Sequence, residues 1–286
     1  MTGLAVSLVI LSAFIHAAWN LLAKRASGGP AFVWLCTALA SLIWAPLAAV
    51  VIFTQHPHIG ITEWVFLAGT AILHLLYFLV LQRGYRLGDF SLVYPLARGT
   101  GPMLSTLAAI MILGEHPTPL ALAGAALVVA GVFVVTGDPR KLRSEGARNA
   151  VLYGMLTGAF IAAYTLWDKY AVSTLLIPPL LLDYSANLGQ TLLLSPFAFR
   201  NWNEICHQWR LHRWESVGVA IMSSLAFIIV LTVLITSPVS YVAPMREISI
   251  LIGTIMGARL FSEDGAGRRL VGGGVMVLGI LALSSG

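Results

Sequence analysis

Ten stretches of mainly apolar residues, each about twenty long, follow one another along the chain with short polar connections between them. They cover approximately 3–23, 31–53, 63–82, 91–113, 119–137, 149–167, 176–199, 214–235, 239–260 and 268–284. Coiled as an α-helix, a run of that length matches the roughly 30 Å hydrocarbon core of a bilayer. In lipid every backbone N–H and C=O must find its partner inside the protein, which leaves helices or a closed barrel. A barrel would display short segments of alternating polarity, and the sequence has none. The connections carry turn chemistry, as in Ser27-Gly28-Gly29-Pro30, Gln55-His56-Pro57-His58 and Ser237-Pro238. Trp64, Trp202, Trp209 and Trp214 fall at span ends, where amphipathic rings anchor at the headgroups. The longest polar stretches, 138–148 and 200–213, read as loops too short to form a soluble domain.

Composition removes the alternatives. Of 286 residues 58% are hydrophobic and only 10% charged, against about 25% charged in an ordinary soluble domain. The net charge of +5 does not indicate nucleic acid, because the basic residues lie between apolar runs and form no stripe. Cys36 sits in an apolar run and Cys206 in a polar stretch, giving neither a disulfide framework nor a metal ligand set. No cofactor motif is present, and no Walker sequence for ATP. The first span has no basic segment before it, since Lys24 and Arg25 follow it, so it is expected to be retained as a helix. Fourteen of the 17 basic residues fall in odd-numbered connections, only Lys169 in an even one, and Arg98 and Arg246 inside spans. The positive-inside rule then expects both termini outside the cytoplasm.

The sequence also repeats itself. At a shift of 145, Leu11, Ala17, Ala18, Leu21, Lys24 and Ala26 align with Leu156, Ala162, Ala163, Leu166, Lys169 and Ala171, and Trp19 falls on Tyr164. Near the end of each half Glu115, Gly124, Val129 and Gly131 match Glu263, Gly272, Val277 and Gly279. Pro95 matches Pro244. Five spans per half is an odd number, so the halves are expected to enter the membrane from opposite sides, as in many secondary transporters. The expected fold is an all-α integral membrane protein of ten transmembrane helices in two inverted five-helix repeats, residues 1–137 and 149–286, joined by 138–148.

These features resemble the drug/metabolite transporter superfamily, EamA type. The likeness rests on two five-span halves, each ending in an acidic residue followed by a Gly-x6-Gly helix. The stretch Tyr94-Pro95-Leu96-Ala97-Arg98-Gly99-Thr100-Gly101-Pro102 and the first-span His16-x-x-Trp19-Asn20-x-x-x-Lys24 add to it. The resemblance covers nearly the whole chain. It implies a ten-helix bundle with a central cavity lined from both halves, working by alternating access. It also implies cytoplasmic termini, against the charge count.

Ionisable groups inside spans are costly and usually line a cavity or pair with one another. Arg98 lies seven residues into the fourth span, and Arg246 and Glu247 occupy the same place in the ninth; aligning the prolines sets Arg98 opposite Glu247. One reading has Arg98 and Arg246 meet an anionic substrate group while Glu247 binds an amine or a proton. The other is a structural Arg98–Glu247 ion pair with Arg246 snorkelling. His16, Trp19 and Asn20 share one helix face, and His16 is a candidate for a coupling proton. Further cavity candidates are His74 and Tyr77 in the third span, Tyr94 a turn before Arg98, Tyr164 in the sixth, and Asn187 and Gln190 in the seventh. Asp168 and Lys169, near the end of the sixth span, read as interfacial, and Asp183 is open to the same reading. Glu115 and Glu263 read as loop or cap residues. Gly154-x3-Gly158 and Gly253-x3-Gly257 read as packing surfaces.

The leading reading is a secondary transporter, an exporter of a small polar or amphipathic metabolite, in a cell membrane of the bacterial inner-membrane type. Its partners are a small-molecule substrate, the lipid bilayer and, as an option, a coupling proton. The rivals are a lipid-carrier flippase, which needs a lateral opening, and a polytopic enzyme acting on lipid-linked substrates. The enzyme would require a catalytic cluster, and neither His-Glu-x-x-His nor Gly-x-Ser-x-Gly occurs.

Overall fold

The computed structural model describes residues 1–26, 29–87, 90–136, 147–252 and 266–286. These form α1 (Gly3–Ala26), α2 (Pro30–Gln55), α3 (Ile61–Leu87), α4 (Phe90–Leu113), α5 (Pro119–Thr136), α6 (Ala147–Ser173), α7 (Pro179–Arg200), α8 (Trp202–Thr236), α9 (Val239–Met245) and α10 (Ala266–Ser285). No strand occurs among the described residues. Six helices are long and apolar enough to cross a membrane, and α5 and α10 contain shorter apolar segments. The apolar runs therefore fold as an all-α membrane protein, with many large apolar side chains on its surface: Phe53 is 75% and Met111 83% exposed. Asp168, Asp183 and Glu247 are buried instead, the reverse of a water-soluble fold.

Local chemistry sets the helix ends. Pro30 and Pro179 open α2 and α7, where a missing N–H costs nothing. Gly114 adopts a left-handed φ of 66° and the Glu115 N–H bonds Ala109 O at 3.2 Å, closing α4. His56 ends α2 in the same left-handed region. The α8–α9 connection, Ser237-Pro238, is held from two sides. Lys169 Nζ donates to Leu234 O and Ser237 O at 2.7 and 3.2 Å. The Glu115 carboxylate accepts the Val239 and Ser240 N–H groups at 2.7 and 2.9 Å, which places a negative charge at the start of α9. Glu115 is thus a cap, for a helix distant in sequence. Glu263, Gly253 and Gly257 lie outside the described residues.

Three boundaries differ from the sequence reading. The stretch 202–213 is helical and joins α8 across a kink at His212. Ile205 is buried there while Trp202 and Trp209 are exposed, so the segment is an amphipathic helix whose charges mask its apolar face. Helix α6 continues to Ser173, carrying Asp168 into the interior. The ninth run breaks: Pro244 has no N–H for the Ser240 carbonyl, the backbone turns at Arg246-Glu247, and helix resumes over 248–252. The resumed turn begins with i→i+3 bonds, Ser249 N to Arg246 O and Ile250 N to Glu247 O.

Helix α1 packs on α8 and α6 on α3, α2 on both α7 and α8, α7 also on α3, and α4 lies along α6. The α5–α10 contact is closest. A Cβ added at Gly124 would stand 2.6 Å from Gly279 O, and one at Gly279 would stand 2.6 Å from Gly124 O. One at Gly131 would stand 2.8 Å from Gly272 O. The two Gly-x6-Gly helices thus run antiparallel with their backbones in contact.

Candidate functional site

The broken segment after α9 and the middle of α4 bring the buried charges together. Arg98 Nη2 lies 3.1 Å from Glu247 Oε2 and 3.5 Å from Ser249 Oγ. Glu247 is 5% exposed. The pair is close but poorly aligned: Arg98 Nε and Glu247 Oε2 are both buried without a hydrogen-bond partner. Arg98, Arg246 and Ser249 line a cavity with Ser12, Ala13 and His16 of α1. Its volume is about 10 Å³, close to the space of one water. Two guanidiniums face one carboxylate here, so the centre carries an excess positive charge, held in place by the turn that Pro244 introduces.

The other predicted residues divide between this centre and a second one. The His16 and Trp19 rings meet edge to face at 4.9 Å, and Trp19 Nε1 is buried without a partner. Asn20 is exposed, its amide turned back onto His16 O at 2.7 Å. Tyr94, Tyr77 and Tyr164 lie within electrostatic range of Arg98. The Tyr164 ring meets Tyr77 edge-on at 5.6 Å and lies against His74 at 4.2 Å, so it stands between the centres. Gln190 donates to Ala186 O within its own helix.

The second centre joins α3, α6, α7 and α8. Asp168 Oδ1 accepts the Thr70 hydroxyl at 2.6 Å, and Asp168 Oδ2 lies 3.0 Å from His74 Nε2. Asn187 Nδ2 donates to Asp183 Oδ2 at 3.1 Å and to Ser224 Oγ at 3.2 Å. Asp168 is 1% and Asp183 4% exposed, so the interfacial reading of Asp168 is corrected. Its partners sit on α3, and burial there is tolerable because both carboxylate oxygens are bonded. Sequence reasoning singled out His74 and Asn187 but not Thr70, Asp168 or Asp183 as members of one cluster. The available signal was Asp168 four residues after Tyr164, on the face that meets α3.

A bundle of apolar-surfaced helices that buries charged side chains between them defines a polytopic membrane protein with a polar interior. The family model of the EamA-like transporters matches residues 3–137, which contain α1 to α5. These residues match a family of membrane transporters that is part of the drug/metabolite transporter superfamily. No curated protein matches it. One solved structure, titled only as a crystal structure of a protein, matches with a TM-score of 0.75 over 99% of both chains at 14% identity, a likeness of fold.

Proposed function

We propose that the chain exports a small organic anion or zwitterion by alternating access, with Arg98 and Arg246 binding its carboxylate or phosphate. The excess of guanidinium over carboxylate in the α1–α4–α9 cavity carries this reading. The unbonded Arg98 Nε supports it, because a buried donor without a partner costs about 1–3 kcal/mol and an incoming anion would supply the acceptor. An anion at Arg98 competes with Glu247, and the freed carboxylate then meets a substrate ammonium group. The space at this centre is only about 10 Å³, so loading a metabolite requires the lining helices to part.

The same reading takes residues 1–137 and 149–286 as inverted repeats about an axis through the centre. Three features support it. The α1–α8 and α6–α3 contacts exchange under such a symmetry. So do the ends of the antiparallel α5–α10 seam. Arg98 and Glu247, equivalent positions in the alignment, touch.

The test is ligand-induced thermal stabilisation of purified protein with amino acids, nucleosides, organic acids and organophosphates, followed by counterflow of any ligand that binds in proteoliposomes. A ligand at 100 times its Kd should stabilise by about 2.7 kcal/mol. An anion that stabilises wild type should leave Arg98→Ala unchanged. Equal stabilisation of both proteins, or binding restricted to compounds that carry no anionic group, would overturn the proposal.

A further inference from the structure

The α3–α6–α7–α8 centre is a group of titratable side chains that substrate binding at Arg98 does not use. Asp168 and Asp183 come from different helices, and His74 is bonded to Asp168 and within electrostatic range of Asp183. The groups around them can be named element by element. Helix α3 supplies His74 and the Thr70 hydroxyl. Helix α6 supplies Asp168 and the Tyr164 ring. Helix α8 supplies Ser224 and Phe227, neither charged, and α2 has no charged residue. Lys169, next in the chain to Asp168, is turned away onto Leu234 O and Ser237 O. Among the described groups that act on Asp183, none is a permanent cation.

Charge accounting then limits what the centre can hold. Fully deprotonated, it carries two negative charges in a membrane interior. A proton on His74 leaves one, and a second proton on a carboxyl brings neutrality. Burying an uncompensated charge costs several kcal/mol, so occupancy by protons is tied to burial of the centre. Asp168 has both oxygens bonded, whereas Asp183 accepts from the Asn187 amide and bonds the Ser224 hydroxyl, which can donate to the carboxylate or accept from the acid.

We propose that Asp183, with His74 and Asp168, forms a proton-binding site separate from the Arg98–Glu247 centre, and that this site carries the coupling proton of transport. The proton comes from water on one side of the membrane, forms an O–H bond at the Asp183 carboxylate, and returns to water on the other side as that bond breaks. Tyr164, against His74 on one side and within range of Arg246 and Arg98 on the other, links the two centres. Proton binding stands on the geometry alone, while its role in coupling rests on the transport reading.

The experiment is infrared difference spectroscopy of the purified full chain in lipid, titrated from about pH 5 to about pH 9. The band to follow is the carbonyl stretch of a protonated carboxylic acid. It should titrate in wild type, vanish in Asp183→Asn and persist in Glu247→Gln. His74→Gln, which keeps a hydrogen-bonding side chain, should retain the band with its midpoint moved by about one pH unit. Absence of the band at every pH, its survival in Asp183→Asn, or an unmoved midpoint in His74→Gln would overturn the site. Loss of the band on adding sodium chloride but not choline chloride at fixed pH would overturn it in favour of sodium. A titrating band in a protein that moves no substrate would defeat the transport reading and leave the proton site standing.

Discussion

Replacing Gly124 by alanine should weaken the protein although alanine is the better helix former. The gain is about 1 kcal/mol of helix propensity. The loss is steric: the new Cβ would stand 2.6 Å from Gly279 O and 2.8 Å from Leu283 N, where ordinary contact begins at 3.4 Å. Both neighbours are backbone atoms of α10, so no side-chain rotation relieves the clash, and the helices must separate by the missing 0.8 Å (3.4 − 2.6). Overpacking of this kind costs about 1–3 kcal/mol. Gly279→Ala meets the same wall from the other side, 2.6 Å from Gly124 O, and should cost as much. Gly274 lies on the same helix with nothing within 4 Å, and its alanine variant should gain up to about 1 kcal/mol. Thermal unfolding in one detergent should therefore rank Gly274→Ala above wild type and both seam variants below it. The seam double mutant should lose less than the sum, because the first alanine opens the gap that the second enters. Strict additivity, or a Gly124→Ala protein as stable as Gly274→Ala, would refute the close-backbone account.

Other outcomes follow from the charged groups. Arg98→Ala removes the guanidinium paired with Glu247, leaving only Arg246 to offset the buried carboxylate, and should cost up to about 3–5 kcal/mol. An Arg98→Met/Glu247→Leu double mutant, which leaves Arg246 unpaired, should regain only part of that in thermal unfolding. A single mutant as stable as wild type would remove the pair from the interior. Glu115→Gln removes the negative charge that caps α9 and should cost about 0.5–2 kcal/mol. Amide exchange should quicken at Val239 and Ser240, and unchanged exchange there would show the cap to be dispensable. The charge count puts the C-terminus outside the cytoplasm; a fused fluorescent protein that folds only in the cytoplasm should stay dark, and fluorescence would reverse the orientation.

What the sequence could reveal follows from where the partners of each residue lie. Helices were legible because a helix satisfies its own backbone, so an apolar run of sufficient length declares itself without its neighbours. The α5–α10 seam was not legible: Gly124 and Gly131 stood out only as repeat markers matching Gly272 and Gly279, and their close approach emerges once those partners are seen across it. Asp168 was misread because a charge near the end of an apolar window has the same sequence appearance whether it meets water or a buried hydroxyl. Thr70 and His74 decide the matter from 98 and 94 residues away. The helix over 202–213 was lost for the opposite reason, since its charged residues outweigh the apolar face that Trp202, Ile205 and Trp209 share at i, i+3 and i+7 spacing.

The two buried centres differ in the sign of what they lack, and this difference bears on mechanism. The Arg98–Arg246–Glu247 centre has more cation than anion, while the His74–Asp168–Asp183 centre has more anion than cation. On the proposed reading an anionic substrate offsets the excess of the first, and a proton at Asp183 reduces the excess of the second. If each must be neutral before the helices close around it, closure favours the doubly loaded protein and the empty one is penalised at both centres. Tyr164 lies between them on α6, against His74 and within range of both arginines, so a shift of α6 against α3 alters both environments together. Coupling of this kind needs no contact between substrate and proton. It requires only that one helix movement control the burial of both charges, and that the energy of each loaded state differ between the closed and open forms.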